Sequence, residues 1–240
     1  MIEELRRILA AGNVALDDKA CEGLEAYHAL LLEWNARMDL TNVPEEEMAL
    51  RHYGDSLLPL GQGPWFIPGA KVIDVGTGAG FPGLPLAIAR RDLQVMLLDS
   101  QRKRCDFLNA VVERLGLSNV TVLHARAEDA ARTALREQMD LAVARAVAPL
   151  NVLAEYLLPF VRVGGYALCW KGPAVAGERT EGGAAAQMLG AEEAGLIRLP
   201  IEGREHYLQA YRKTEKTVRR YPRKSGTPSR EPLGKLPEKP

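Results

Sequence analysis

The segment Val72-Ile-Asp-Val-Gly-Thr-Gly-Ala-Gly-Phe-Pro-Gly83 constrains this chain more than any other. An apolar run leads into Gly76, Gly78 and Gly80, and a helical pattern follows. Glycine allows positive φ and lets the backbone approach a ligand with no Cβ in the way. A strand–glycine loop–helix unit belongs to parallel α/β architecture, in which ligands sit beyond the carboxyl ends of the strands. The rest of the chain after residue 70 agrees with that reading. Strands are expected at Lys71–Val75, Gln94–Leu98, Val120–His124, Asp140–Ala144, Gly165–Lys171, Leu196–Ile201 and Tyr207–Arg212. Helical patterns occupy Pro82–Arg91, Arg102–Leu115 and Leu150–Phe160, with a short turn near 129–137. Only Glu202–His206 separates the last two strands, too little for a crossover helix, so they should form an antiparallel hairpin. The fold expected is a Rossmann-like α/β sheet of seven strands with helices on both faces. The Gly/Ala-rich stretch 174–190 has no clear pattern.

Ahead of the sheet lies a helical extension. Asp17 is a plausible N-cap, and Ala20, Leu24, Tyr27, Leu31 and Trp34 recur at steps of three and four residues. With helical stretches at 2–11 and 45–60 this defines an N-terminal portion of residues 1–68, a core of 69–212 and a basic tail of 213–240.

The glycines accommodate two cofactor classes. Gly78, Gly80 and Gly83 satisfy G-x-G-x-x-G, which suits a nicotinamide dinucleotide, and Asp99 at the end of the next strand suits a ribose in either class. Two acids favour S-adenosylmethionine. Asp74 precedes the first glycine, giving D-x-G-x-G-x-G, an order that holds a charged amino-acid end. Glu128 follows the third strand, where an adenine edge needs backbone and carboxylate partners.

If a methyl group is transferred, exclusion narrows the acceptor. Cys169 lies inside a predicted strand and reads as a small buried hydrophobe, not the nucleophile that cytosine C5 requires. The loop after the fourth strand is Ala144-Arg-Ala-Val-Ala-Pro149, with no polar–Pro–Pro–aromatic device for an exocyclic amine. A ring nitrogen such as guanine N7 carries no proton and needs only alignment. Candidate positioning groups are Arg145, Lys171 and His52. Cys21, Cys105 and Cys169 are widely spaced and form neither a disulfide pattern nor a zinc motif, so no metal is expected. No apolar run is long enough to span a membrane.

The formal net charge of zero hides an asymmetry. Residues 212–240 hold ten Lys/Arg against three acids, net +7, while the body holds 21 against 28, net −7. A basic arm on an acidic body suggests an anionic polymer as partner. Arg219, Arg220, Arg223 and Lys224 would neutralise phosphates, and Tyr221 would stack on a base.

Several segments together resemble the RsmG (GidB) family of bacterial methyltransferases. They are Trp34–Thr41, Arg51–Leu57, Val72–Pro85, Leu97–Arg104, Ala144–Leu150 and Tyr221–Pro228. Asp39 stands where that family usually has Asn. The resemblance implies methylation of guanine N7 in 16S rRNA, with S-adenosylmethionine held at Gly76, Phe81, Ala127, Glu128 and Arg145. The partner expected is 16S rRNA or the small ribosomal subunit, with no DNA or membrane partner, and the protein is expected to be a cytoplasmic monomer. Two competitors remain at this stage: a nicotinamide-dependent oxidoreductase, and a non-catalytic RNA-binding assembly factor.

Overall fold

A computed structural model describes residues 1–145, 148–201 and 203–235. Seven strands form one sheet: β1 (Lys71–Val75), β2 (Gln94–Asp99), β3 (Val120–His124), β4 (Met139–Arg145), β5 (Val161–Lys171), β6 (Ala191–Arg198) and β7 (Tyr207–Lys213). Their spatial order is β3-β2-β1-β4-β5-β7-β6. The first five are parallel, and β7 lies antiparallel between β5 and β6. This is the Rossmann-like sheet with a terminal antiparallel hairpin that the sequence implies.

The helices are α1 (Ile2–Ala10), α2 (Asp18–Asn35), α3 (Glu45–Met48), α4 (Asp55–Leu57), α5 (Gly83–Ala89), α6 (Arg102–Leu115), α7 (Ala127–Ala130), α8 (Leu150–Leu157), α9 (Val175–Met188) and α10 (Thr227–Arg230). Asp17 caps α2 by accepting the Ala20 N–H at 2.7 Å. The α2 stripe Leu24, Tyr27 and Leu31 is fully buried. It shares one core with Leu97 of β2, Phe107 of α6 and Leu84 of α5, so the N-terminal helices pack directly on one side of the sheet. The expected helix over 45–60 is broken: between α3 and α4 the backbone forms a π-helical turn, Ala49–Gly54. Such turns reorient side chains and concentrate at functional sites. This one carries Arg51 and His52. Among the described residues no helix is long and apolar enough to cross a membrane.

Two expectations need correction. The patternless stretch 174–190 forms α9, a complete crossover helix. Its small residues let it approach α8 closely: a Cβ on Gly182 would stand 2.7 Å from Leu150 Cβ and 2.6 Å from the Tyr211 hydroxyl oxygen. Strand β6 then begins at Ala191 and ends at Arg198, not at Ile201. It is the sheet's outer edge, with Glu192 and Glu193 exposed, so it lacks the apolar run that marks a buried strand.

The basic tail is described through residue 235, and its last five residues, 236–240, lie outside the described residues. Tyr221 and Leu233 enter the core formed by α8, α9 and β5. Ala146, Val147 and Glu202, within the expected β4 loop and hairpin connection, also lie outside the described residues.

Candidate active site

The carboxyl ends of β1 to β4 carry the site. Gly76, Gly78 and Gly80 adopt positive φ, at 71°, 60° and 104°. Close packing adds a further constraint at Gly80, where a Cβ would meet Leu84 Cδ1 at 2.4 Å. The loop is braced from beneath by Asp74, which is wholly buried. Its Oδ2 accepts the Thr77 hydroxyl at 2.6 Å and the Gly83 N–H at 2.8 Å. Its Oδ1 is buried without a hydrogen-bond partner. Burial lifts its pKa to about 6, and the two hydrogen bonds only partly offset that rise. Asp74 is therefore first a brace, and its spare oxygen is an acceptor held under the loop.

Asp99 closes β2 and accepts the Gly78 N–H on Oδ2 at 3.0 Å and the Gln101 N–H on Oδ1 at 2.8 Å. Beside it opens a cavity of about 180 Å³, lined by Gly76, Leu98, Asp99, Ala127 and Glu128 and, from farther along the chain, Tyr156 and Ser229. Glu128 is nearly buried, and its Oε1 accepts the Gly226 N–H at 2.7 Å. A nucleoside-bearing cationic cofactor fits this donor set: a carboxylate for ribose hydroxyls, open backbone at the glycines, and an unpaired carboxylate oxygen under the loop.

A second cavity, of about 440 Å³, lies between the N-terminal helices and the sheet. Arg145 at the end of β4 forms one wall. It donates to the Arg51 carbonyl at 2.8 Å, to Asp55 Oδ2 at 3.2 Å and to His52 Nδ1 at 3.1 Å. An arginine only donates, so Nδ1 of His52 accepts, and Nε2–H donates to the Thr41 hydroxyl at 2.7 Å. His52 is thus held as one neutral tautomer, with its pKa pulled down to about 3 by burial and by the adjacent guanidinium. Its ring stacks on Phe81 at 4.4 Å, and the Arg145 guanidinium lies 5.0 Å from that same ring. Phe81, directly after the glycine loop, therefore joins the loop to this wall.

Across the cavity, His206 Nδ1 stands 2.9 Å from Asp55 Oδ1, and Trp170 donates to the Asp55 carbonyl at 2.8 Å. Lys171 bridges the Ala148 carbonyl and Glu178 at 3.1 and 2.7 Å. Thr41, Asp55, Trp170, Arg204 and His206 were missed as site residues. Thr41 and Asp55 alone have a local signal, their places in the Trp34–Thr41 and Arg51–Leu57 motifs.

The five residues expected to meet RNA divide. Arg219, Arg220 and Lys224 are exposed. Tyr221 is buried, so its ring offers no free face to a base. Arg223 is folded inward onto Glu155, a carboxylate with no exposure, at 2.7 Å. Burying that carboxylate requires a paired cation, and the tail supplies it.

Comparison with known proteins agrees with this geometry. The family described as GidB, rRNA small subunit methyltransferase G, matches residues 20–205. The chain belongs to that family. A ribosomal RNA small subunit methyltransferase G from Alkaliphilus oremlandii is 44% identical over 238 residues, covering 96% of this chain and 99% of its relative. Another, from Alkaliphilus metalliredigens, is 46% identical over 222 residues, covering 91% and 92%. Among solved structures, a 16S rRNA (adenine(1408)-N(1))-methyltransferase from Catenulisporales acidiphilia with its cosubstrate shares the fold. Its TM-score is 0.51 at 16% identity, over 63% of this chain and 88% of that one. Membership makes the chain an rRNA methyltransferase with S-adenosylmethionine as its cofactor. The nicotinamide alternative falls.

Proposed function

We propose that this protein methylates N7 of a guanine in 16S rRNA by aligning donor and base, with no covalent or acid–base step of its own. The observation that carries this reading is the state of the second cavity. Among its described lining residues, His52 is locked neutral between Arg145 and Thr41, and Asp55 is paired with Arg145 and His206. Lys171 is tied to Glu178 and Arg204 to Glu47. His206 is held through Nδ1 on Asp55, which leaves its Nε2 able to accept a proton, but a ring nitrogen such as N7 has none to release. Cys169 has no exposure, and burial pushes its thiol up to about 12, which removes it as a nucleophile.

S-adenosylmethionine, when bound, supplies an electrophilic methyl that a ring-nitrogen lone pair can take without losing a proton. The chain's own contribution is placement. The glycine loop and Asp99 would hold the nucleoside and amino-acid ends, and Ala127–Glu128 the adenine edge. Arg145 would orient the junction between the two cavities and present positive charge to the acceptor. Fixed groups need not reorganise at the moment of transfer, and alignment of this kind is a large share of what an enzyme can supply.

We also take the protein to be a cytoplasmic monomer acting on small-subunit rRNA and not on DNA; sedimentation of the purified protein checks the monomer. The function is tested by incubating the protein with labelled cofactor and 16S rRNA from a strain lacking its gene. Labelled 7-methylguanosine is expected. Label in any other nucleoside overturns the N7 assignment, and cofactor binding without transfer to naked rRNA or 30S particles favours an assembly factor.

A further inference from the structure

The C-terminal segment, residues 214–235, lies across the outer side of α7 and α8 as a strap. Backbone and buried charge hold it there. Arg136 donates to the carbonyls of Thr217 and Tyr221, both at 2.7 Å, and Arg132 donates to the Pro222 carbonyl at 2.8 Å. Arg223 meets Glu155 through its side chain, and its own N–H donates to that carboxylate at 2.7 Å. Where the strap passes the cofactor cavity it contributes directly. The Gly226 N–H binds Glu128, and the hydroxyls of Ser229 and Tyr156 lie 2.7 Å apart. Glu128, Tyr156 and Ser229 all line that cavity.

The opposite side of the strap is cationic. Arg219, Arg220, Lys224 and Arg230 are exposed, as is Arg126 at the cavity itself. Within 214–235 seven Lys/Arg stand against two acids, on a protein whose remainder is acidic. A polyanion suits such a surface, and the substrate's base must be delivered to this end of the sheet.

We propose that the strap is one element with two working faces. Its inner face completes the adenosine cavity through Gly226 and Ser229, and its outer face docks the phosphate backbone of the substrate RNA. RNA and cofactor therefore strengthen each other's binding. The physical basis is continuity. Lys224 and Gly226 are two residues apart, so a phosphate held by one fixes the backbone that supplies the other's hydrogen bond to Glu128. Linkage then requires the effect to be reciprocal.

The inference rests on rRNA as the acceptor but not on which atom is methylated. It is tested by calorimetric titration of S-adenosylhomocysteine into the full-length protein, alone and with saturating 16S rRNA, at two salt concentrations. RNA is expected to tighten the wild-type Kd by about fivefold or more. Tyr156→Phe with Ser229→Ala should weaken the RNA-free Kd by roughly three- to tenfold, as expected for loss of one hydrogen bond at the wall. Arg219→Ala, Arg220→Ala and Lys224→Ala together should abolish the tightening. They should also lower the salt slope of RNA binding by about 2 to 3, one phosphate contact each.

An RNA-independent wild-type Kd overturns the proposal. So does a Tyr156/Ser229 variant within twofold of wild type, or full tightening in the triple variant. Label transfer by the wild type to the same RNA is scored in parallel. Transfer without tightening sinks the strap alone, whereas tightening with label in another nucleoside sinks only the N7 reading. Equal tightening by heparin would assign the outer face to any polyanion and overturn the RNA-backbone assignment.

Discussion

The two ends of this chain both reach the site, from opposite sides of the sheet, and are held by different forces. The N-terminal helices are anchored by apolar and aromatic packing. Tyr27 sits among Tyr53, Phe81 and Phe107, with ring centroids 5.4 to 6.4 Å apart, over a floor of buried leucines. The C-terminal strap is anchored mainly by polar contacts: Arg136 and Arg132 on its carbonyls, and its own Arg223 and Gly226 on buried carboxylates. A hydrophobic anchor is non-directional and tolerates small shifts. A buried ionic anchor holds one geometry and fails sharply when a partner is removed. The end that defines the wall of a small cavity is the one held by directional bonds.

The largest effect should come from breaking the polar anchor. Glu155→Ala strands the Arg223 guanidinium and the Arg223 backbone N–H, and should cost about 3–5 kcal/mol in chemical denaturation. Leu24→Ala, its counterpart at the apolar end, should cost about 2–5 kcal/mol, set by the cavity it leaves. The comparison sharpens in cofactor binding, where the Glu155 variant should weaken affinity much more than the Leu24 variant for the same loss of stability. Equal losses would erase the distinction between the two ends.

Asp99→Ala should weaken cofactor binding by roughly 10- to 100-fold, the value of a charge-assisted hydrogen bond. The effect is read by titration with S-adenosylhomocysteine.

A smaller effect follows from His52. Its pKa is pulled down in the folded state, so below the unfolded value of about 6.5 the unfolded chain binds a proton that the native protein refuses. The contribution is present above pH 6.5 and is lost as the pH falls toward 3. His52→Gln should flatten this part of the stability–pH curve. Smallest of all, Arg219→Ala should change stability by less than about 0.5 kcal/mol, because that side chain is solvated.

The legibility of the two cavities follows from their construction. The glycine loop and Asp99 belong to one strand–turn–helix–strand run, so local pattern and spacing reveal them. The second cavity joins Thr41, His52, Asp55, Arg145, Trp170 and His206, which meet only after the sheet has assembled. Trp170 reaches Asp55 across 115 positions of sequence. The strap was misread for a related reason. Its cations look like a solvated tail until Glu128 and Glu155, 98 and 68 residues upstream of their partners, are seen to be buried. Helix α9 escaped because a helix packed through glycine and alanine carries no apolar stripe.

The central claim is that the site works by fixed placement, with no group that must gain or lose a proton. Its most direct test is the single-turnover rate of methyl transfer to rRNA under saturating cofactor, measured from pH 6.5 to pH 9. With His52 neutral throughout and N7 unprotonated, the rate should vary by less than about twofold across that range. A limb rising tenfold per pH unit to an inflection would reveal an essential base and contradict the account.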